Sequence, residues 1–326
     1  MDVFWYALVG LLLAGYLALE SIDFGVGMLL PLAETESGRA HMRRTVVPLF
    51  LANEVWLVAF VGLLFGALPL FEGELLHVLR LPVLGLLCAW FLRDAALWFR
   101  TAHPGSGWRR SWDTVLPVAS LVLAAGWGAV LAVLIRGLSS DGNGQALATT
   151  ADLTHPFALL CAALAVAASL RQGSLFAALG LPERSALRVR LGRTTRILTP
   201  TLLVLLVLTV AAGALATDAS VAMAAVAVLA VAAVYCSDRV QATGRTGLAL
   251  LLGAAPMVAL PVLVGAANGT TVLATRSGEG DLVLSRAIAD PASLSLLVTV
   301  LPVLVAVVFG QLWFWRVFAR TSPLPT

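Results

Sequence analysis

Polar side chains inside long apolar stretches are the residues of this sequence best suited to chemistry. The candidates are Glu20, Asp23, Asn53, Glu54, Arg93 and Asp113, with Trp56, Arg100 and Trp112 as supporting residues. If these stretches cross a bilayer, each central charge costs about 2.5–3.5 kcal/mol and needs a structural or functional reason. Glu20 and Asp23 stand three residues apart, so a helix would place both carboxylates on one face.

Two interpretations of these carboxylates remain open from the residues alone. One is a structural network in which Arg93 neutralises buried carboxylates. The other is a route for protons towards a buried reaction centre, because membrane-embedded carboxyl groups commonly relay protons. No metal site is expected, since Cys88, Cys161 and Cys236 stand singly in apolar segments without metal-ligand spacing.

Composition indicates an integral membrane protein. The chain has 326 residues, of which 60% are hydrophobic and 12% charged, and its mean hydropathy is +0.95. Soluble domains have about 25% charged residues, so soluble classes are excluded. The basic pI of 9.1 reflects arginines in short connections rather than a nucleic-acid surface, and no nucleic-acid partner is expected.

Nine apolar segments are about as long as, or longer than, the roughly 20 residues that a transmembrane helix needs. They are residues 4–31, 47–69, 75–97, 114–136, 156–179, 197–216, 219–236, 246–268 and 292–318. The sequence therefore predicts an all-α, polytopic fold, with residues 1–326 in a single membrane domain because every connection is short. The first segment lacks a positive n-region, so a true span is expected rather than a signal peptide. Pro256 and Pro261 are expected to kink the eighth span.

The arginines predict how the chain is oriented. Seventeen of the 21 basic residues, all arginine, fall on one side of the predicted spans and four on the other. Because positive residues concentrate on the cytoplasmic side, the N-terminus is predicted outside and the C-terminus inside. This topology places the candidate polar residues towards the inner half of the membrane.

The histidines argue against haem bound by this chain. The four are His41, His77, His103 and His155, all near connections or span ends. Haem within a helical bundle takes His or Met ligands that project from facing helices. We therefore expect that the chain binds no haem directly.

Several motifs resemble subunit II of the cytochrome bd-type quinol oxidases. Residues 20–29, Glu-Ser-Ile-Asp-Phe-Gly-Val-Gly-Met-Leu, are similar to the signature of the first helix in that family. Further similar segments are Pro48 with Asn53-Glu54-Val55-Trp56-Leu57, Arg93 with Phe99-Arg100, Trp112-Asp113, His155-Pro156-Phe157 and residues 291–320. The resemblance extends over the whole chain and is strongest in the first 115 residues.

The resemblance implies a non-haem subunit in the bacterial plasma membrane. Such a subunit supports a haem-bearing subunit I, which carries haems b558, b595 and d and the quinol oxidation site, and it helps protons reach the site of oxygen reduction to water. Asp23, Arg93 and Asp113 match residues that the family uses to hold the haem complex together. A structural quinone, membrane lipid and a small accessory subunit are further candidate ligands and partners.

Two departures from the family pattern concern the proton route that the resemblance implies. Leu51 stands where the family has an aspartate linked with a proton path, and Trp98 replaces an acidic residue. Alternative functions are a secondary transporter or permease, which would use polar groups near the membrane midplane, and a paralogue that only scaffolds an assembly.

Overall fold

The computed structural model describes residues 2–141, 145–217 and 220–321, and this part of the chain is almost entirely helical. The α-helices are α1 Asp2–Leu29, α2 Glu36–Ala67, α3 Pro69–Val78, α4 Arg80–Phe99, α5 Ser106–Arg136, α6 Thr150–Leu153, α7 Pro156–Ala177, α8 Ala186–Ala216, α9 Val221–Ala242, α10 Thr246–Gly253, α11 Ala255–Asn268, α12 Leu284–Ala287, α13 Pro291–Val298 and α14 Leu301–Thr321. A 3₁₀ turn at Leu30–Leu32 follows α1, and four short strands are β1 Ser139–Ser140, β2 Ala146–Leu147, β3 Thr271–Leu273 and β4 Leu282–Val283.

The predicted number of membrane spans is confirmed. Within the described residues, nine helical segments are long and apolar enough to cross a membrane. Their ends differ from the prediction in places: the third span runs over Arg80–Phe99 rather than 75–97, and the seventh over Val221–Ala242. The third begins later because α3 forms a separate helix that starts at Pro69, whose missing N–H suits a first helical position.

Proline interrupts the eighth span, as predicted. Helix α10 ends at Gly253, Ala254 lies between the helices, and α11 begins with Pro256 in its first turn. Pro256 cannot donate the hydrogen bond that would continue α10 into α11. Pro261 lies inside α11 without dividing it, so only one of the two expected kinks is a break. The last span is also divided, between α13 and α14 just before Pro302.

Glycines bring α1 and α7 into backbone contact at the centre of the bundle. A Cβ atom added to Gly25 would lie 1.8 Å from the backbone oxygen of Ser169, and one added to Gly173 would lie 2.2 Å from the carbonyl carbon of Gly25. Small residues at helix interfaces permit such close approach in membranes. The contact buries the C-terminal half of α1, including Glu20 and Asp23.

The connections predicted on the outer side pack against one another. Strands β1 and β2 pair antiparallel, as do β3 and β4, and Leu138 forms a bridge with Thr275. The Asp152 carboxylate accepts hydrogen bonds from Arg276 at 2.7 Å and from Ser139 at 3.1 Å. The sequence did not indicate these strands, which are two or three residues long.

The arginine asymmetry needs one correction. Arg93 and Arg171 contributed to the predicted inner side, but both are buried in the bundle rather than exposed at a connection. Without them the count is 15 (17 − 2) against four, and the bias persists. The N-out, C-in topology stays a prediction. The tight connection expected at Thr217–Asp218 includes Asp218, which lies outside the described residues.

Candidate functional site

Arg93 is the centre of a buried polar cluster formed by α1, α2 and α4. Its side chain is 1% exposed and donates to Glu20 on α1 through Nη1. Nη2 lies 2.6 Å from Oε1 of Glu54 on α2, and Nε donates to Asp94 over 3.0 Å. Trp90 adds a hydrogen bond of 2.8 Å to the same Glu54 oxygen. One guanidinium therefore holds carboxylates from three helices, as the sequence led us to expect for a paired buried charge.

Asp23 belongs to the same buried region but has a different direct partner. Its Oδ2 accepts a hydrogen bond of 2.9 Å from Asn53, whose Oδ1 accepts one of 2.9 Å from Gln311 on α14. We expected Asp23 and Arg93 to share one network. Arg93 instead makes its direct ion pairs with Glu20, Glu54 and Asp94, and both Asp23 and Arg93 line one small cleft.

Two carboxylate oxygens of the cluster have no hydrogen-bond partner among the described residues. They are Oε1 of Glu20 and Oδ1 of Asp23, and both are fully shielded from solvent. A buried polar atom without a partner is costly, so water or a proton is the usual means of satisfying it. The guanidinium of Arg93 also lies 5.6 Å from the centre of the Phe24 ring, which closes the cluster towards α1.

Asp113 and Arg100 form a second cluster at the predicted inner surface. Arg100 binds Asp113 through contacts of 2.5 and 2.9 Å, and binds both oxygens of Glu36 at 2.8 and 2.9 Å. These bidentate pairs join the end of α4 to the starts of α5 and α2. The hydrogen bonds from Arg100 lower the pKa of Glu36, and its bonds to Asp113 and Glu36 raise the pKa of Arg100.

A narrow cleft lies between the two clusters. It has a volume of ≈ 10 Å³, and its polar lining residues are Asp23, Arg93 and Arg43. Arg43 lies 3.7 Å from Glu36 of the inner cluster. A cavity of about 10–15 Å³ has room for one water molecule. The cleft that borders both clusters therefore has room for about one water molecule.

The two supporting tryptophans have packing roles. The Trp56 ring lies against Gly15 of α1, where an added Cβ would come within 2.3 Å of the ring. Trp112 packs against Phe99 and Trp108, with ring centres 6.2 and 5.6 Å apart. Both indole N–H groups are buried without a partner among the described residues.

Three residues that contribute hydrogen bonds to these clusters were not among the candidates identified from the sequence. Gln311 is a polar residue in the last span, and Glu36 is an acidic residue at the start of α2, so both carried a signal in the sequence. Trp90 precedes Arg93 by three residues and shares its helix face. Leu51, at the position of the family's aspartate, is 55% exposed and does not line the cleft.

A further buried arginine lies outside both clusters. Arg171 of α7 is fully buried, and its Nε donates to Thr199 of α8 over 3.0 Å. The neighbouring Gln172 donates to the backbone oxygen of Leu250 over 2.7 Å. These bonds tie α7 to α8 and to the first half of the interrupted eighth span.

Comparison with known protein families shows which family the chain belongs to. The sequence model of the family described as cytochrome bd terminal oxidase subunit II matches residues 1–318. The chain belongs to the cytochrome bd terminal oxidase subunit II family. Together with the nine apolar helices of the described residues, this membership places the chain in a bacterial cell membrane.

Curated members of the subunit II family match over part of their length. The chain is 30% identical over 173 residues to the cytochrome bd ubiquinol oxidase subunit 2 of Bacillus subtilis, covering 53% of this chain and 51% of that protein. It is 28% identical over 177 residues to the cytochrome bd-I ubiquinol oxidase subunit 2 of Escherichia coli, covering 53% and 47%. The matched segment thus spans about half the length of each relative.

A solved structure confirms the fold of the subunit II family. A chain of the bd oxidase from Geobacillus thermodenitrificans matches with a TM-score of 0.76 at 17% identity, covering 98% of this chain and 99% of that one. The secondary-transporter alternative finds no support in these comparisons, which all indicate bd oxidases.

Proposed function

We propose that this chain is the non-haem subunit II of a cytochrome bd-type quinol oxidase, in which the buried Arg93 cluster gives protons access from the inner side. The chain supports a haem-bearing subunit I that oxidises quinol and reduces oxygen to water. Family membership supports the assignment to the complex. The observation that carries the proton role is that one cleft is lined by Asp23 and Arg93 of the buried region and by Arg43, which lies 3.7 Å from Glu36 of the inner cluster.

The histidines of the chain do not fit an internal haem. His41 bonds the backbone oxygen of Ala177, and His155 caps the start of α7. His103 bonds the amide of Gly105 in a connection, and His77 lies in the last turn of α3. All four lie at or near helix ends or in a connection, whereas a pair of axial ligands would project from facing helices within the bundle. The haems are accordingly assigned to the partner subunit, and the partner-free chain should show no stoichiometric haem absorbance.

The charge balance favours a cluster that carries protons. Glu20, Asp23, Glu54 and Asp94 bring four carboxyl groups to the neighbourhood of Arg93, a formal balance of one positive against four negative charges. Several unneutralised charges cannot be held together in a low-dielectric interior. Part of these carboxyl groups must therefore hold protons, and a proton held near water can be exchanged.

Substitution of Glu20 tests the proton role. Glu20→Gln keeps a polar group beside Arg93 but cannot carry a proton. We expect normal assembly and haem content in the purified complex, with quinol oxidase turnover reduced by about tenfold or more, as is common when a positioned proton-transfer group is removed. Glu183→Gln is the matched control, because Glu183 is an exposed carboxylate of the same predicted side.

Two outcomes separate the competing interpretations. Unchanged turnover in Glu20→Gln and Glu54→Gln, with normal haem content, would show that the cluster is only structural. A purified assembly that contains this chain but has no oxidase activity in the wild type would favour the scaffold-only paralogue. A structural quinone and a small accessory subunit stay further candidates, which mass spectrometry of the same preparation would detect.

A further inference from the structure

An open groove lies beside the inner cluster. It has a volume of ≈ 890 Å³ and is formed by the end of α1, the first half of α5 and one face of α7. This volume lies within the range of about 300–1,000 Å³ that is typical of small-molecule sites. Five of the side chains in its membrane-facing part are Met28, Val118, Leu121, Val166 and Leu170, all apolar.

Positive charge concentrates at the opposite, inner end of the groove. Four arginines and two carboxylates line it, a formal balance of +2 (4 − 2): Arg39, Arg100, Arg109, Arg110, Glu36 and Asp113. The two carboxylates are already engaged by Arg100 in bidentate pairs. Arg39 is 3.8 Å from Glu36 and 4.0 Å from Asp113.

Arg109 and Arg110 are left as free cations at this end. Within the described part of the chain, neither has a carboxylate oxygen within 4.0 Å, and both are exposed. They stand in the first turn and a half of α5, after Gly105. An arginine guanidinium binds a phosphate group through two parallel hydrogen bonds, which makes it suited to a phosphodiester.

We propose that this groove binds an anionic phospholipid, with its phosphodiester between Arg109, Arg110 and Arg39 and one acyl chain along the apolar wall. The two ends of the groove match the two chemical parts of such a lipid. Basic pockets between transmembrane helices on the cytoplasmic side bind anionic headgroups in this manner. A free phosphate would use only the arginines and leave the apolar wall exposed.

The charge of the groove is tested by removing two arginines. The purified oxidase complex is reconstituted in nanodiscs of phosphatidylcholine with a titrated fraction of phosphatidylglycerol, and bound lipid is counted by native mass spectrometry. Arg109→Gln with Arg110→Gln should weaken phosphatidylglycerol binding by about thirtyfold, since each arginine near a lipid surface contributes about 1 kcal/mol. The control is Arg193→Gln with Arg196→Gln, two exposed arginines of α8 outside the groove.

The apolar wall is tested by a matched pair of tryptophan substitutions. Leu121 lines the groove and Val122 does not, although both are 44% exposed on the same helix. Leu121→Trp should fill the path of the acyl chain and reduce phosphatidylglycerol binding, whereas Val122→Trp should leave it unchanged.

Three results would overturn the proposal. Equal losses in the groove and control arginine variants would indicate general attraction to a charged surface. Full binding in Leu121→Trp, together with displacement by soluble glycerol phosphate, would indicate a phosphate site without an acyl chain. Absence of exchangeable phosphatidylglycerol from the wild-type complex would show that another subunit covers the groove.

Discussion

At the scale of single residues, the pairing of Arg93 determines how the inner half of the bundle tolerates its charges. A lone guanidinium inside the membrane would be costly, and each carboxylate around it would be costly too. Their mutual contacts, which are short and hydrogen-bonded, offset much of that desolvation. Removal of Arg93 would leave its carboxylate partners buried without a positive charge, whereas removal of Glu20 would leave Arg93 paired with Glu54 and Asp94.

The coupling between Glu20 and Arg93 is the first residue-scale prediction. We expect Arg93→Ala to destabilise the assembled complex by about 3–5 kcal/mol, and Glu20→Ala to cost less because Arg93 keeps Glu54 and Asp94 as partners. The double variant should be less damaged than the sum of the two, because the residues are in direct contact. Thermal midpoint and haem per purified complex measure both effects.

The same cycle with Asp23 tests the arrangement found here. Asp23 is bound by Asn53 rather than by Arg93, so Asp23→Ala with Arg93→Ala should be closer to additive than the Glu20 pair. Strict additivity for Glu20 and Arg93 would contradict the direct ion pair. Wild-type haem content in all the single variants would remove the structural role of the cluster.

Asp152 gives a prediction that depends on pH. Burial raises its pKa, but hydrogen bonds from Thr149 and Arg276 lower it further, so the pKa lies below the usual 3.8. A carboxyl with a lowered folded pKa stabilises the protein at pH values above its unfolded pKa, and the stabilisation is lost as pH falls through the folded pKa. Asp152→Asn should cost about 1–3 kcal/mol at neutral pH.

The test of Asp152 is a comparison of thermal midpoints across pH. The difference between wild type and Asp152→Asn should be constant from neutral pH down to about pH 5 and should shrink below about pH 4. Glu74→Gln is the control, since Glu74 is an exposed carboxylate in α3, at the same end of the molecule. A difference that persists unchanged at the lowest pH would show that the carboxylate charge is not the stabilising feature.

At the scale of helices, glycine and proline decide how the spans meet. The backbones of α1 and α7 touch where Gly25 faces Gly173, and the eighth span breaks before Pro256. The first feature positions Glu20 and Asp23 inside the bundle rather than against lipid. Near the second, the Leu250 backbone oxygen accepts hydrogen bonds from both the Ala254 N–H and the side chain of Gln172.

Because Gly25 is in close contact with the backbone of α7, adding a single methyl group at this position should have a large effect on stability. Gly25→Ala should destabilise the protein by about 1–3 kcal/mol or more, the usual cost of overpacking, because the new Cβ would meet backbone atoms that cannot rotate away. Gly10→Ala on the same helix is the control, since its added Cβ would have no atom within 4 Å other than the adjoining residues and the nearby backbone of α1 itself. Equal thermal midpoints for the two variants would contradict the close contact.

Part of this architecture could be predicted from the sequence because its physical cause is local. The length of an apolar segment is enough to predict a membrane span, so all nine spans of the described residues were predicted. Pro256 likewise indicated the break in the eighth span. The separate helix α3 and the paired strands near residues 139 and 271 could not be predicted, since they depend on contacts between distant connections. The ion-pair partners of Arg93 could not be predicted for the same reason. The sequence showed that Arg93 needs a carboxylate, but which carboxylates it contacts depends on how three helices pack.

At the scale of the whole molecule, ion pairs tie the connections at each end to one another. Arg100 and Glu36 join the first two connections of one end, and Arg276 and Asp152 join two connections of the other. Connections tied in this way lie at the same end of the bundle, so they belong to the same side of the membrane. An error in the topology would therefore invert the whole chain rather than one loop.

The orientation of the chain follows from the arginine asymmetry and can be tested at every connection. Fifteen connecting or terminal arginines against four predict that residues 40, 105, 187 and 241 lie in the cytoplasm. Reporter fusions at these four positions should all give a cytoplasmic signal, and fusions at residues 148 and 279 should give a periplasmic one. If all six signals are reversed, the orientation is wrong but the span count holds. A mixture of signals at residues 40, 105 and 187 would contradict the arrangement of the spans, because ion pairs hold these three connections at one end of the bundle.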